Sequence, residues 1–249
     1  MSADAWHRAG EIDSTRFEHV DGPRMGGVLA VELDPALRDR LLADPDVLVG
    51  DGEILKDDRA STVVVPSGSG EVVLKRFRYP DVLRALRRAP RASRARKAFV
   101  ATLRLQAFEI GVPQALGYLE RRRAGLGTAS WLVARRAPGR DAQAVLTDAQ
   151  ISDDARARLV DALAGIVARM QGAGIIHGDL KATNFLVDGF GRASDGTESI
   201  QVLDLHAVRR PGVFGRAGLR RDRERFLRNL DAWPELRRRA IAVIDRRQA

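Results

Sequence analysis

The segment HGDLKATN, residues 177–184, sets an imidazole, a carboxylate, an ammonium and a carboxamide within eight positions, and Asp204 follows at the end of the apolar run IQVLD. Ile-Ile precedes the segment and Phe-Leu-Val follows it, although burying such polar groups unpaired costs kilocalories. Phosphoryl transfer uses all of them. It asks the protein for little covalent work, and for charge neutralisation, metal positioning and an oriented acceptor hydroxyl. Asp179 can accept the hydroxyl proton, and Lys181 can lie against the moving γ-phosphate. Asn184 and Asp204 can offer a neutral and a charged oxygen to Mg2+, which needs only a few hard protein oxygens beside phosphates and water.

These residues need elements to hold them. A helix over 152–171, capped by Ser152 with Leu159, Leu163, Ile166, Val167 and Met170 on one face, leads into the segment through Gly172 and Gly174. A strand over 200–205 carries Asp204. Upstream, TVVVP (62–66), the turn SGSG (67–70) and EVVLKRF (71–77) predict a β-hairpin that bears Lys75. Strands are also predicted in VLAVEL (28–33), ALGYLE and SWLVA, the last two around a basic turn at 121–127. Helices are predicted over 36–43, closed by Asp44-Pro45, and over 93–109, with Ser93 as N-cap, Phe99, Val100, Leu103 and Ala107 on one face, and Gly111 and Pro113 as the stop. From Arg220 the chain reads as helical, interrupted at Trp233-Pro234. Strands first and helices later predict an α+β protein. It would be one domain over 1–249: a polar lead-in at 1–24, a β-rich N-lobe at 25–134 and a mainly helical C-lobe at 135–249, hinged near 134–138.

The pattern H-x-D-x-x-x-x-N with a later strand-borne Asp resembles the protein-kinase-like superfamily. The His-Gly-Asp form, the lysine two places after the Asp, HGDLKATNFLV with a later VLDL, and RASRARKAF followed by EIGVPQALGYLE look most like the lipopolysaccharide core kinases. That resemblance implies a small bilobal kinase-like fold with a truncated C-lobe, and transfer of the γ-phosphate of ATP, with Mg2+, to a Kdo or heptose hydroxyl at the cytoplasmic face of the inner membrane. Asp179 is then the base and His177 a brace for its loop. Lys75 matches the lysine that holds the α and β phosphates. The lobe connection, Ala134, Arg136 and Ala137 included, would line the adenine pocket with backbone groups. The chain stops soon after Asp204 without an Ala-Pro-Glu signature, which favours a sugar or glycolipid acceptor over a protein. A minimal protein Ser/Thr kinase and a nucleotide-binding pseudokinase or scaffold are the rival readings.

Several positions depart from the kinase pattern. No G-x-G-x-x-G loop precedes Lys75; KDDRAST (56–62) takes its place, with Lys56, Ser61 and Thr62 as candidate phosphate contacts. No acid occurs between Asp81 and Glu109 to orient Lys75, and Glu109 itself reads as a surface residue. Asp204-Leu205-His206 stands where Asp-Phe-Gly is common, with His206 read as facing solvent.

Composition sets outer bounds. With 249 residues, 45% hydrophobic, the chain can bury a real core. It has no cysteine, so disulfide and thiolate-metal chemistry is excluded. No apolar run has the length of a membrane span or signal core, which predicts a cytoplasmic protein. The net charge of +9 makes an anionic membrane surface a candidate partner. Basic stretches without interleaved aromatics argue against nucleic acid. Of 42 basic residues only four are Lys, and two of these are Lys75 and Lys181.

Overall fold

The computed structural model describes residues 3–57, 60–78, 92–123, 126–190, 199–211 and 215–247. The tip of the predicted phosphate turn at 58–59 lies outside them, as do residues 79–91 and 191–198. The chain divides into two compact units, an N-terminal one of His7–Arg104 with Pro113–Arg136, and a C-terminal one of Met1–Trp6, Leu105–Val112 and Ala137–Ala249.

After a short helix α1 (Ala3–Arg8), the N-terminal unit is built on a seven-stranded sheet whose neighbours all run antiparallel, in the order β1-β2-β6-β7-β5-β4-β3. The strands are β1 (Phe17–Asp21), β2 (Met25–Ala30), β3 (Glu53–Asp57), β4 (Ala60–Ser67), β5 (Gly70–Arg78), β6 (Ala115–Arg123) and β7 (Leu126–Arg135). The hairpin expected from TVVVP-SGSG-EVVLKRF is present as β4 and β5, paired from Ala60↔Phe77 to Ser67↔Gly70. Residues 1–24 are more than a lead-in: β1 forms the sheet edge, and Phe17 is buried against Phe99 with ring centroids 5.0 Å apart. The strand read as 28–33 sits earlier, because Gly26 and Gly27 belong to it. A Cβ on Gly27, whose φ is +147, would stand 2.1 Å from the Tyr118 carbonyl oxygen, so glycine is what lets β2 pair with β6.

Helices α2 (Pro35–Ala43) and α3 (Pro45–Asp51) meet at Asp44, which caps α3, and Asp34 caps α2. Their corner is tied to the sheet by Arg121, which reaches Asp44 and Asp46 at 2.6 and 2.7 Å and lies over the Trp131 ring at 4.8 Å. This part of the basic turn at 121–127 is therefore spent internally. Helix α4 (Arg94–Ala107) starts at Ser93, whose hydroxyl accepts from Arg96 N–H. Its buried face is Ala95, Ala98, Phe99, Ala101, Thr102 and Leu105, with Val100 and Leu103 half-buried and Ala107 exposed. The small residues define the face more than the large ones named from the sequence.

In the C-terminal unit, α6 (Asp153–Gly172) follows α5 (Ala142–Thr147) and is capped by Ser152 as expected. Leu159, Leu163, Ile166, Val167 and Met170 are all buried. Helix α8 (Pro234–Arg246) lies along α6, where Arg239 grips Asp161 through two nitrogens at 2.7 and 2.6 Å. A three-stranded sheet, β10 (Ser199–Val202), β9 (Phe185–Asp188) and β8 (Arg140–Asp141), and helix α7 (Gly215–Arg228) complete the unit. Among the described residues no helix is long and apolar enough to cross a membrane.

Candidate active site

Helix α6 ends in a left-handed turn: Gly174 has φ +65, Gly174 N–H bonds to Gln171 and Ile175 N–H to Met170 at 2.7 Å. Ile175 and Ile176 then anchor the chain in the core, and Ile176 exchanges two backbone hydrogen bonds of 2.9 Å with Arg209. From there the polar run unfolds along a fully specified path. The backbone N–H of His177 donates to Asp222 at 2.6 Å, and that of Gly178 to both oxygens of the same carboxylate at 3.1 Å. Asp222 is buried on α7. The His177 ring is fully buried; its Nε2 is 2.9 Å from the Leu203 carbonyl and its Nδ1 accepts from Asp179 N–H at 3.3 Å. A carbonyl can only accept and Nδ1 is already accepting, so the ring is neutral with its hydrogen on Nε2. Burial holds its pKa below the ordinary histidine value. His177 braces the loop from inside.

Asp179 sits at the centre of this arrangement. Lys181 Nζ is 3.1 Å from Oδ2, Arg225 Nη1 is 3.0 Å from Oδ1, and Asn184 Nδ2 donates to Oδ2 at 3.3 Å and to the Asp179 carbonyl at 2.7 Å. Burial pushes its carboxyl up, but Lys181, Asn184 and Arg225 together outweigh that and hold it below the usual carboxylate range. Its carboxylate is therefore ionised at neutral pH, with its oxygens able only to accept hydrogen bonds. Leu180, Ala182 and Phe185 pack inward between these polar positions, with Phe185 against Phe226 of α7. The apolar flanks and the polar run are thus one loop, with its backbone clamped by α7.

Asn184 and Asp204 are brought to neighbouring strand ends. Phe185 pairs with Val202 in the β9–β10 ladder, and Leu203 N–H extends it by donating to the Asn184 carbonyl at 2.8 Å. The strand read as 200–205 stops at Val202, because Asp204 turns left-handed with φ 61 and ψ 50. His206 is folded back onto it, Nδ1 at 2.7 Å from Oδ1, so this histidine faces a carboxylate and is not simply turned to solvent. Among the described residues no three His, Cys, Asp or Glu side chains cluster as a metal site. A cation here would depend on the Asn184 and Asp204 oxygens with phosphate and water, a donor set that suits Mg2+.

In the N-terminal unit, Lys56, Thr62 and Lys75 stand in one cross-strand row over β3, β4 and β5, and so share a face. Lys75 Nζ lies 5.4 Å from the centre of the Phe77 ring. Ser61 does not join them: it is the next residue to Thr62 and faces the other side, where its hydroxyl donates to Asp57 at 2.6 Å and accepts from Arg78 at 2.5 Å. Ser61 and Thr62 are strand residues, not turn residues. Ala134 also stands within the sheet, between Val73 and Ala115, and Arg136 N–H is committed to the Glu71 carbonyl at 2.9 Å. The chain leaves the sheet only after Arg136, so Ala137 is the first residue of the expected connection with its backbone outside the ladder.

Two contributors were missed from the sequence, Asp222 and Arg225. Both lie in RRDRERFLR, where the alternation of charges reads as a solvated helix face. The available signal was Phe226 and Leu227, whose burial turns Asp222, one turn earlier, inward.

A β-rich unit bearing Lys75 and a helical unit bearing this loop define a protein-kinase-like fold. The solved structure titled "WaaP in complex with acyl carrier protein" is similar over 86% of this chain and 88% of that one, with a TM-score of 0.61 and 21% identity. The chain matches the lipopolysaccharide kinase (Kdo/WaaP) family model over residues 79–242 and belongs to that family; it is a kinase. Curated protein sequences give no match.

Proposed function

We propose that this kinase transfers the γ-phosphate of ATP, as its Mg2+ complex, to a hydroxyl of a Kdo or heptose residue in a lipopolysaccharide-type core, and that its two units work as one kinase domain. The observation that carries the reading is the hydrogen-bonded loop itself: Asn184 holds Asp179 through its side-chain amide nitrogen, while its backbone carbonyl fixes Leu203 one residue before Asp204. One short path thereby links the acceptor-side carboxylate to both candidate cation ligands.

In this reading Asp179 receives the hydrogen of the acceptor hydroxyl and aligns its oxygen for in-line attack. With cations on both carboxylate oxygens it orients more than it deprotonates, which suits a loose transition state that needs little base strength. Lys181, half-exposed beside Asp179, places positive charge where the transferred group gathers negative charge. Asn184 and Asp204 hold the Mg2+ that neutralises the phosphates. Lys75, with Lys56 and Thr62 on its sheet face, holds the α and β phosphates, and Ala137 opens the backbone segment that meets adenine. An acceptor carried on lipid places the enzyme at the cytoplasmic membrane face, where exposed arginines such as Arg221 and Arg228 would meet anionic headgroups.

The test is a mass-spectrometric acceptor screen with purified protein, ATP and Mg2+. A gain of one phosphate on Kdo- or heptose-containing glycolipid, absent with Asp179→Ala, is expected. Phosphate gained only by added protein would overturn the sugar acceptor.

A further inference from the structure

The Asp204 carboxylate has a dedicated neighbour. His206 Nδ1 lies 2.7 Å from Oδ1, and because an ionised carboxylate has no hydrogen to give, Nδ1 carries the hydrogen and donates it. This holds whether or not the ring is charged. The contact is built by the backbone. Asp204 takes up the left-handed conformation at φ 61, which disfavours a non-glycine residue, and Leu205–Ala207 then form one tight turn closed by Val208 N–H on the Leu205 carbonyl at 3.0 Å. Both ends of this turn are tied down. Leu203 is bonded to Asn184 before it, Arg209 is paired with Ile176 after it, and Leu205 is buried beneath it. A residue two places after Asp204 is thereby held against it, although neither side chain is buried.

We propose that His206 is a positioning residue for the cation-binding carboxylate: by donating to Oδ1 it fixes the rotation of the Asp204 side chain that would hold the divalent cation of the nucleotide complex. The inference rests on the reading of Asp204 as a cation ligand. Carboxylates that bind metals are commonly held by such outer hydrogen bonds, and losing one typically weakens metal affinity about 10- to 100-fold. His206 itself touches no reacting atom in this scheme.

The test reads cation binding apart from turnover. Thermal stabilisation by a fixed excess of ATP is followed against Mg2+ concentration, with Mn2+ binding to the ATP complex followed in parallel by electron paramagnetic resonance. Wild type is compared with Asp204→Asn, His206→Phe, which keeps a ring without a donor, and His206→Asn, which keeps a donor. Melting without nucleotide reports folding in each. The expected result is a metal requirement raised about tenfold or more in His206→Phe and near wild type in His206→Asn, with the Mg2+-dependent part lost in Asp204→Asn. A His206→Phe curve that superposes on wild type while Asp204→Asn loses its response overturns the role of His206 and leaves the reading of Asp204 standing. Should His206→Phe fail to fold, a His206→Asn curve as weak as that of Asp204→Asn overturns it equally. Wild-type stabilisation by ATP that is indifferent to Mg2+ and Mn2+ removes the reading of Asp204, and the role of His206 with it.

Discussion

Asp222 shows how one carboxylate can shape a loop it never joins chemically. It accepts the His177 and Gly178 amide hydrogens from inside the protein. Asp222→Ala would strand two buried donors, at a cost of about 3 kcal/mol by the usual scale for charged, buried hydrogen bonds. Urea unfolding should show that loss, with a smaller one for Asp222→Asn, which retains an acceptor oxygen. Arg225 acts on the side chain the same helix steadies, bonding the Gly178 carbonyl at 2.7 Å and Asp179 at 3.0 Å. Arg225→Gln is expected to lower kcat about tenfold or more with ATP-induced stabilisation retained; unchanged turnover would show that Asp179 needs no such anchor. His177 gives a pH signature. Its folded pKa lies below the unfolded value because burial disfavours the charged ring, against the pull of the Leu203 carbonyl and the nearby carboxylates. The unfolded chain therefore takes up a proton near pH 6.5 that the folded chain refuses, and stability falls as the pH drops below about 6.5. Urea midpoints at pH 7.5 and 5.5 measure it, and His177→Gln should flatten the decline.

The path to Asp204 depends on elements far from it in sequence. Helix α4 ends with Glu109 in the left-handed conformation, φ 55, and with Ile110 N–H on the Leu105 carbonyl. This is the hydrogen-bond pattern that glycine usually serves at a helix end. Glu109→Gly should therefore stabilise the protein by about 1 kcal/mol, read as a rise in melting temperature, and a fall would contradict the geometry. Glu109 is a turn residue exposed to solvent, consistent with its reading as a surface glutamate. Gly111, read from sequence as a helix stop, also seats the strand that leads to Asp204. Its carbonyl accepts from Val202 at 2.8 Å, and a Cβ there would stand 2.3 Å from the Ile200 carbonyl oxygen. Gly111→Ala should force β10 to move, costing about 1–3 kcal/mol, and should weaken Mg2+-dependent nucleotide binding through Asp204. Unchanged stability and binding would show that the strand accommodates it.

Over the whole molecule, the strongly patterned elements were legible because their signals are local. The β4–β5 hairpin rests on two β-branched runs around a Gly/Ser turn, and α6 on a Ser cap and a 3.6-residue apolar repeat. Kinase-like spacing in 177–184 followed from the same locality. What escaped depends on partners distant in sequence. FEHVD carries too little apolar pattern to predict β1, which exists because β2 and Phe99 cover it. The face on which Ser61 lies is fixed only by strand register, and Asp222 joins the site only by folding. Part of the arginine content is also spent within the protein: Arg220, Arg223, Arg225, Arg237, Arg238 and Arg239 all contact carboxylates.

Transfer of the ATP γ-phosphate by the Asp179 loop is the claim on which the rest depends, and single-turnover phosphorylation of the acceptor by wild type, Asp179→Asn and Lys75→Ala measures it most directly. Removing the group that orients the attacking hydroxyl should slow transfer by about 10²-fold or more while ATP still stabilises the Asp179→Asn protein, and Lys75→Ala should instead weaken that stabilisation. Phosphate transfer by Asp179→Asn at the wild-type rate would contradict the account.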